Sequence, residues 1–137
     1  MNGDHMADIV GFGDGGVYVA LASGNGHFAA PHLEVSDFGH TVGGWSSQDA
    51  FPRTLADVNG DGMADIVGFG DGGAYIALAM GNGNFAAPQL QVSDFGNTIG
   101  GWSSQTIFPR IVADVSGDQR ADIVGFGDGG VFAALAR

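Results

Sequence analysis

The decapeptide Ala-Asp-Ile-Val-Gly-Phe-Gly-Asp-Gly-Gly occurs three times in this chain, at residues 7–16, 64–73 and 121–130, with an offset of 57 residues each time. Aligned without a gap, residues 7–58 and 64–115 agree at 40 of 52 positions. A chain written this way folds as copies of one unit, and each copy hides its apolar face against a neighbour. A period of about 40–60 residues built from short β-type runs points to propeller blades. Helical solenoids are excluded, because no stretch sustains an apolar period of 3.6 residues.

One full repeat reads as four strands. Strand A covers 52–58, strand B 64–69, strand C 73–79 and strand D 89–95. Strands B and C are small and apolar, as strands buried on both faces must be. Strand D, Gln89-Leu-Gln-Val92, alternates polar and apolar residues like a half-exposed outer strand. Asp71-Gly72-Gly73 supplies a tight B–C hairpin. Consecutive antiparallel strands send their turns to alternate ends of a sheet. The A–B loop and the C–D turn therefore share one face. The B–C hairpin and the long D–A link (96–108) share the other.

Along the chain the strand order becomes B-C-D, A-B-C-D, A-B-C. This makes one repeat-built segment over 1–137, with partial repeats at 1–51 and 109–137 around a full one at 52–108. The expected fold class is an all-β propeller of four-stranded antiparallel blades. Closed propellers have about 4–8 blades, and open strand edges invite pairing. Either several copies assemble into a closed ring or this is a piece of a longer chain; homo-oligomerisation, with copies completing the ring, is the expectation.

Composition narrows the partners. The chain has no Lys, four Arg and 15 acidic residues, for a net charge of −11. Nucleic acid and anionic membrane surfaces call for the opposite sign. Cations and neutral ligands fit better. Cys is absent, so disulfides and thiolate metal sites are excluded. No run of 18 apolar residues and no basic-then-apolar start is present, so neither a helical membrane span nor a signal peptide is expected, and localisation stays open.

The A–B loop is rich in oxygen donors. Asp57, Asn59, Asp61 and Asp65 stand at positions 1, 3, 5 and 9 of a nine-residue loop, and the Met63 carbonyl is a further candidate ligand. Such donors suit Ca²⁺. The spacing matches the first half of an EF-hand, but Gly68 stands where the bidentate Glu belongs. Carboxylates packed this closely repel unless a cation lies among them. The alternative is an ordinary Asn-Gly, Asp-Gly turn. The third copy offers Asp114, Ser116, Asp118 and Asp122, with Gln119 in place of the turn glycine. The first copy keeps only Asn2, Asp4 and Asp8.

With the repeat laid out, the sequence resembles the Psathyrella velutina lectin family, whose blades are related in design to integrin-type FG-GAP repeats. The resemblance covers the whole chain. It rests on Ala-Asp-Ile-Val-Gly-Phe-Gly, Gly-Val-Tyr, Gly-Asn-Gly-x-Phe, Asp-Phe-Gly, Gly-Gly-Trp, Pro-Arg and Ala-Asp-Val-x-Gly-Asp. It implies a non-catalytic lectin that takes N-acetylglucosamine, and also sialylated glycans, in pockets between neighbouring blades, and that binds Ca²⁺. Family members carry about seven repeats in one chain. They often have a His two residues before the strand A Arg, where this chain has Phe51 and Phe108.

Under that resemblance the sugar-binding candidates are Trp45 and Trp102, Asp14, Asp71 and Asp128 of the hairpins, and Asp37, Asp94, His40 and Asn97 at the start of the links. An indole face stacks on the C–H face of a sugar, and carboxylates fix its hydroxyls. The alternative for each Trp is a wedge in the core. Asp14 with Trp45, or Asp71 with Trp102, are the neighbours within one repeat; the sequence leaves open which blade donates which residue. Arg53 and Arg110 are expected to pair with a nearby Asp, with a sialic acid carboxylate as the alternative partner. Four His residues lack His at the matching repeat positions, and the Ser-Ser pairs lack a repeated His partner, so no catalytic constellation is expected. The rival to a lectin is a protein-binding or structural module held by Ca²⁺.

Overall fold

The computed structural model describes residues 1–137 as twelve short strands and no helix. These are β1 (Ile9–Phe12), β2 (Val17–Ala20), β3 (Ala22–Gly24), β4 (His27–Phe28), β5 (His32–Val35), β6 (Arg53–Ala56), β7 (Asp65–Phe69), β8 (Ala74–Ala77), β9 (Gln89–Val92), β10 (Arg110–Ala113), β11 (Asp122–Gly127) and β12 (Gly130–Ala134). No helix is long and apolar enough to cross a membrane.

The strands form three antiparallel blades. Blade 1 is β1-β2-β5, blade 2 is β6-β7-β8-β9 and blade 3 is β10-β11-β12. This is the B-C-D, A-B-C-D, A-B-C order read from the repeat. The separate β3–β4 ladder lies in the C–D turn of blade 1. In blade 2 the same place holds only a bridge between Ala79 and Phe85. Strands A, C and D stop two or three residues short of the expected ends, whereas strand B ends at Phe69 as expected; at the end of A, Val58 N turns to the Asp65 carboxylate, and at the end of D, Phe95 N turns to Asp94.

The core lies between the blades. One apolar cluster fills the seam of blades 1 and 2 with Val19, Phe38, Trp45, Ile66, Ala77 and Phe85 among its members. A second fills the seam of blades 2 and 3 around Val67, Phe69, Phe95, Trp102 and Ile123. Strand B shows the consequence. β7, covered on both faces, is buried throughout, whereas β1, with no blade before it, is half exposed. Strand D is wetter than its alternation implies, since Leu33 and Leu90 are both exposed.

Candidate functional site

Each D–A link begins on its own blade and ends against the next. His40 N donates to the Gly13 carbonyl at 3.0 Å, and Thr41 and Val42 donate to Asp14 O. These bonds stitch the link onto the B–C hairpin of blade 1. Blade 2 repeats them through Asn97 N to Gly70 O and Ile99 N to Asp71 O, both 2.9 Å. The link then carries its Trp across the seam. Trp45 packs on Phe38 at 4.9 Å between centroids and meets Phe51 and Tyr75 edge-on at 6.3 and 6.1 Å. Trp102 repeats this with Phe95, Phe108 and Phe132.

The glycine of Ile-Val-Gly-Phe makes room for this wedge. A Cβ on Gly68 would lie 2.6 Å from the Phe38 ring and 2.7 Å from the Trp45 ring. The corresponding Gly11 in blade 1 faces open space. Both indoles are only 6% exposed. The wedge alternative is thus the arrangement seen, and little of either flat face is offered to a ligand.

Asp37 holds the wedge in place. Its Oδ1 accepts from Phe38 N at 2.6 Å and from the Trp45 indole N–H at 3.0 Å. Asp94 does the same for Phe95 and Trp102. Phe38 and Phe95 have φ of 58° and 61°. Bulky side chains seldom accept that left-handed backbone, and such outliers concentrate at functional sites. The Oδ2 of Asp37 takes no hydrogen bond from the protein and is free for a ligand.

A cavity of about 290 Å³ is lined by Asp37, Gly43, Gly44, Trp45 and Phe51 from blade 1 and its link and by Gly70, Asp71 and Tyr75 from blade 2. The site is therefore shared between repeats: Asp71 faces Trp45 rather than Trp102. Asp71 is itself steadied by Thr98 Oγ1 at 3.2 Å. By the repeat, Asp94, Trp102 and Phe108 stand against Gly127, Asp128 and Phe132, and the Trp102 ring approaches Gly125 and Gly127 as Trp45 approaches Gly68 and Gly70. Asp14 does not join Trp45; its carboxylate lies 3.5 Å from His40 Nδ1 at the exposed surface. Asn97 turns its amide to the Ser103 carbonyl at 3.0 Å, so it shapes the link. Phe51, noted in the sequence only as standing where the resembling family often has a His, lines the cavity, and so does Tyr75, which the sequence did not single out.

The arginines depart from expectation. Neither Arg53 nor Arg110 pairs with a carboxylate within salt-bridge distance; the ion pairs are Met1–Asp8, His40–Asp14 and Arg120–Asp118. Arg53 Nη1 donates to Phe38 O at 2.6 Å and its guanidinium lies over the Phe12 ring. Arg110 repeats this with Phe95 O and Phe69. Each ties the first strand of its own blade to the Phe carbonyl and the Phe ring of the preceding blade. Burial pushes the Arg110 guanidinium down to about 10.

On the opposite face, the Asp-rich loops are wrapped by their own backbone. Asp57 Oδ1 accepts from Gly60 N at 2.6 Å and Asp61 N at 3.2 Å, and its Oδ2 accepts from Gly62 N. Asp61 accepts from Met63 N and from the Asn59 amide. Asp65 is fully buried between Val58 N and Ala79 N. Burial, and then the charges of Asp61 and Asp57, push the Asp65 carboxyl above its usual range. In the third loop Asp114 takes Gly117 N and Gln119 N, and Asp118 takes Arg120 N. Asp122 sits between Ala136 N, Val115 N and Ser116 N. Burial raises its carboxyl, yet these donors prevail and hold it low. In this geometry no three acidic or imidazole groups converge as metal ligands. The donor set of loop 57–65 fits a hard cation in kind, and the like-charge pressure on Asp65 is what a cation would relieve.

Blades of this design, packed seam to seam with a small polar cavity in the joint, define a repeat-built β-propeller segment. The FG-GAP-like repeat family matches residues 57–125, half of the chain, and the chain belongs to that family. It is also similar to a solved lectin from Agrocybe aegerita, described as specifically recognising non-reducing terminal N-acetylglucosamine, with a TM-score of 0.94 and 42% sequence identity. That likeness covers 99% of this chain and 33% of the lectin, so the chain spans about one third of that protein's length. No curated protein matches the chain in sequence.

Proposed function

We propose that this chain is a non-catalytic carbohydrate-binding segment that takes a terminal N-acetylglucosamine in the seam between blades. The observation that carries this is the cavity lined by Asp37, whose Oδ2 takes no hydrogen bond from the protein, together with Asp71, Tyr75 and Trp45. At about 290 Å³ it falls at the low end of small-ligand sites, which suits one sugar residue. The lectin likeness supports the same reading. A neutral sugar fits better than a sialylated one: two carboxylates line the cavity, and Arg53 and Arg110 are engaged on Phe38 and Phe95. Calorimetric titration with N-acetylglucosamine is expected to show binding, with N-acetylneuraminic acid much weaker. No heat, and no retention on a chitin column, would favour the structural-module alternative.

Two further parts belong to the proposal. Ca²⁺ is held by Asp57, Asn59, Asp61, the Met63 carbonyl and Asp65, and more weakly by Asp114, Ser116, Asp118 and Asp122. Removal with EDTA is then expected to lower the melting temperature, and an unchanged melting curve removes this part. Ring closure is supplied by further copies of the chain, since β1 and β12 each have one edge without a partner strand. Several seam sites in one ring would turn weak monosaccharide binding into avidity on a glycan surface. Light scattering reads the mass, and a monomer rules out closure by copies.

A further inference from the structure

The two seams carry nearly the same residues at the cavity positions. Asp37, Gly43, Gly44, Trp45, Phe51, Gly70 and Asp71 line the first, and the residues 57 positions later are Asp94, Gly100, Gly101, Trp102, Phe108, Gly127 and Asp128, identical in type. The eighth lining position differs: Tyr75 in the first seam, Phe132 in the second. Both rings stand edge-on to the Trp of their seam at 6.1 Å, and both lie over the glycines of the hairpin. A Cβ on Gly72 would come 2.8 Å from the Tyr75 hydroxyl, and one on Gly129 would come 3.3 Å from the Phe132 Cζ. The rings therefore occupy matching places, and the seams differ there by one oxygen. That hydroxyl makes no hydrogen bond within the protein and is not among the buried unpaired atoms, so it faces the cavity or solvent next to Asp71.

We propose that the Tyr75 hydroxyl is a ligand contact that sets the two seams apart: the first binds the sugar more tightly, and the second, closed by Phe132, is the weaker copy. This rests on the glycan-binding reading above. A phenol both donates and accepts, so it can join Asp37 and Asp71 in meeting a sugar's hydroxyl or acetamido groups. Phe132 fills the same space and offers neither. One neutral hydrogen bond contributes about 1 kcal/mol net, which corresponds to about a fivefold difference in dissociation constant.

The two indole N–H groups report the seams separately. In a ¹H–¹⁵N spectrum of the full chain titrated with N-acetylglucosamine, the Trp45 and Trp102 signals should saturate at different concentrations, about fivefold apart. Tyr75→Phe identifies the Trp45 signal and should bring its midpoint up to that of Trp102. Phe132→Tyr should bring the Trp102 midpoint down. Equal midpoints in the unaltered chain, or midpoints indifferent to both substitutions, would overturn the proposal. If neither signal moves at any sugar concentration, the glycan reading itself fails, and this inference with it. Since Tyr and Phe differ by one atom at a position that tolerates both, each variant should keep the fold, and the remaining resonances check that directly.

Discussion

The first and second seams are built from one repeat, yet they are closed differently below the cavity. In the first, Phe85 of the Gly-Asn-Gly-Asn-Phe turn is 8% exposed and packs among Val19, Leu21, Ile66, Ala77 and Ala79. In the second, the matching residues Ile76, Leu78, Ile123, Ala134 and Ala136 line an open groove of about 500 Å³, since the described residues end at Arg137 and the position matching Phe85 lies beyond them. Blade 1 supplies a third case: Phe28 holds the place of Phe85 and is 44% exposed, with no blade of the described chain packed against it. The same short motif is therefore core or surface according to what lies across the seam. A propeller blade of this kind is not a stable unit with decorations. Its aromatic residues are halves of contacts whose other halves belong to a neighbour.

The largest test of this contrast is Phe85→Ala. Emptying a buried aromatic site costs about 3–5 kcal/mol, so urea unfolding should show a loss of that order. Phe28→Ala, at the copy left exposed within one chain, should cost far less in the monomer. Equal costs in the assembled protein would mean that a neighbouring copy covers Phe28. Next in size comes the glycine that admits the Trp wedge. Gly68→Ala forces a methyl against Phe38 and Trp45 and should cost about 1–3 kcal/mol. Gly125→Ala should behave alike against Trp102, and Gly11→Ala, facing open space, should be near neutral. A large loss at Gly11 would show that the glycine serves strand geometry and not the seam.

The smallest effect separates the loops of blades 2 and 3 by charge, measured without added metal. Asp65 is raised above its ordinary value of 3.8 by burial and by Asp61 and Asp57. Its folded state thus favours the proton: the stabilisation is fully present below 3.8 and is lost as pH rises through the folded value. Asp122 is lowered, because its backbone donors outweigh burial. Its stabilisation is present above 3.8 and is lost as pH falls through the folded value. Asp65→Asn should therefore be less damaging at pH 7 than at pH 3, and Asp122→Asn more damaging at pH 7 than at pH 3. Stability curves for both variants at the two pH values decide it. The same sign for both would refute the distinction.

Much of this architecture was legible before any coordinates. The 57-residue offset marked out the blades, and the turn residues placed the ten blade strands in the order observed, with the β3–β4 ladder of the first C–D turn the one addition. Asp37, Trp45 and Asp71 could be nominated from their types. Their grouping could not, because the link runs first along its own hairpin through His40 and Thr41 and only then crosses to Gly70 and Asp71 of the next blade. Tyr75 was hidden for another reason. In Ala-Tyr-Ile-Ala it reads as one more apolar strand residue, and only its place against Gly72 reveals an unspent hydroxyl. The arginines show the limit of pairing by charge. With 15 acidic residues available, Arg53 and Arg110 still go to carbonyls and ring faces, since the seam offers those at close range and water is excluded there.

By itself the sequence determined what is local and periodic: the blade, its turns, the sign of its charge and the kind of donor in each loop. These follow from neighbours along the chain, whose spacing is covalent. Tertiary structure decided which residues of different repeats share a seam, which aromatic is a wedge, and where a carboxylate oxygen and a phenol stay free. Those depend on the angle and distance between sheets, set by the fit of Trp45 over Gly68 and Phe85 into its socket, and no single repeat contains both sides of that fit.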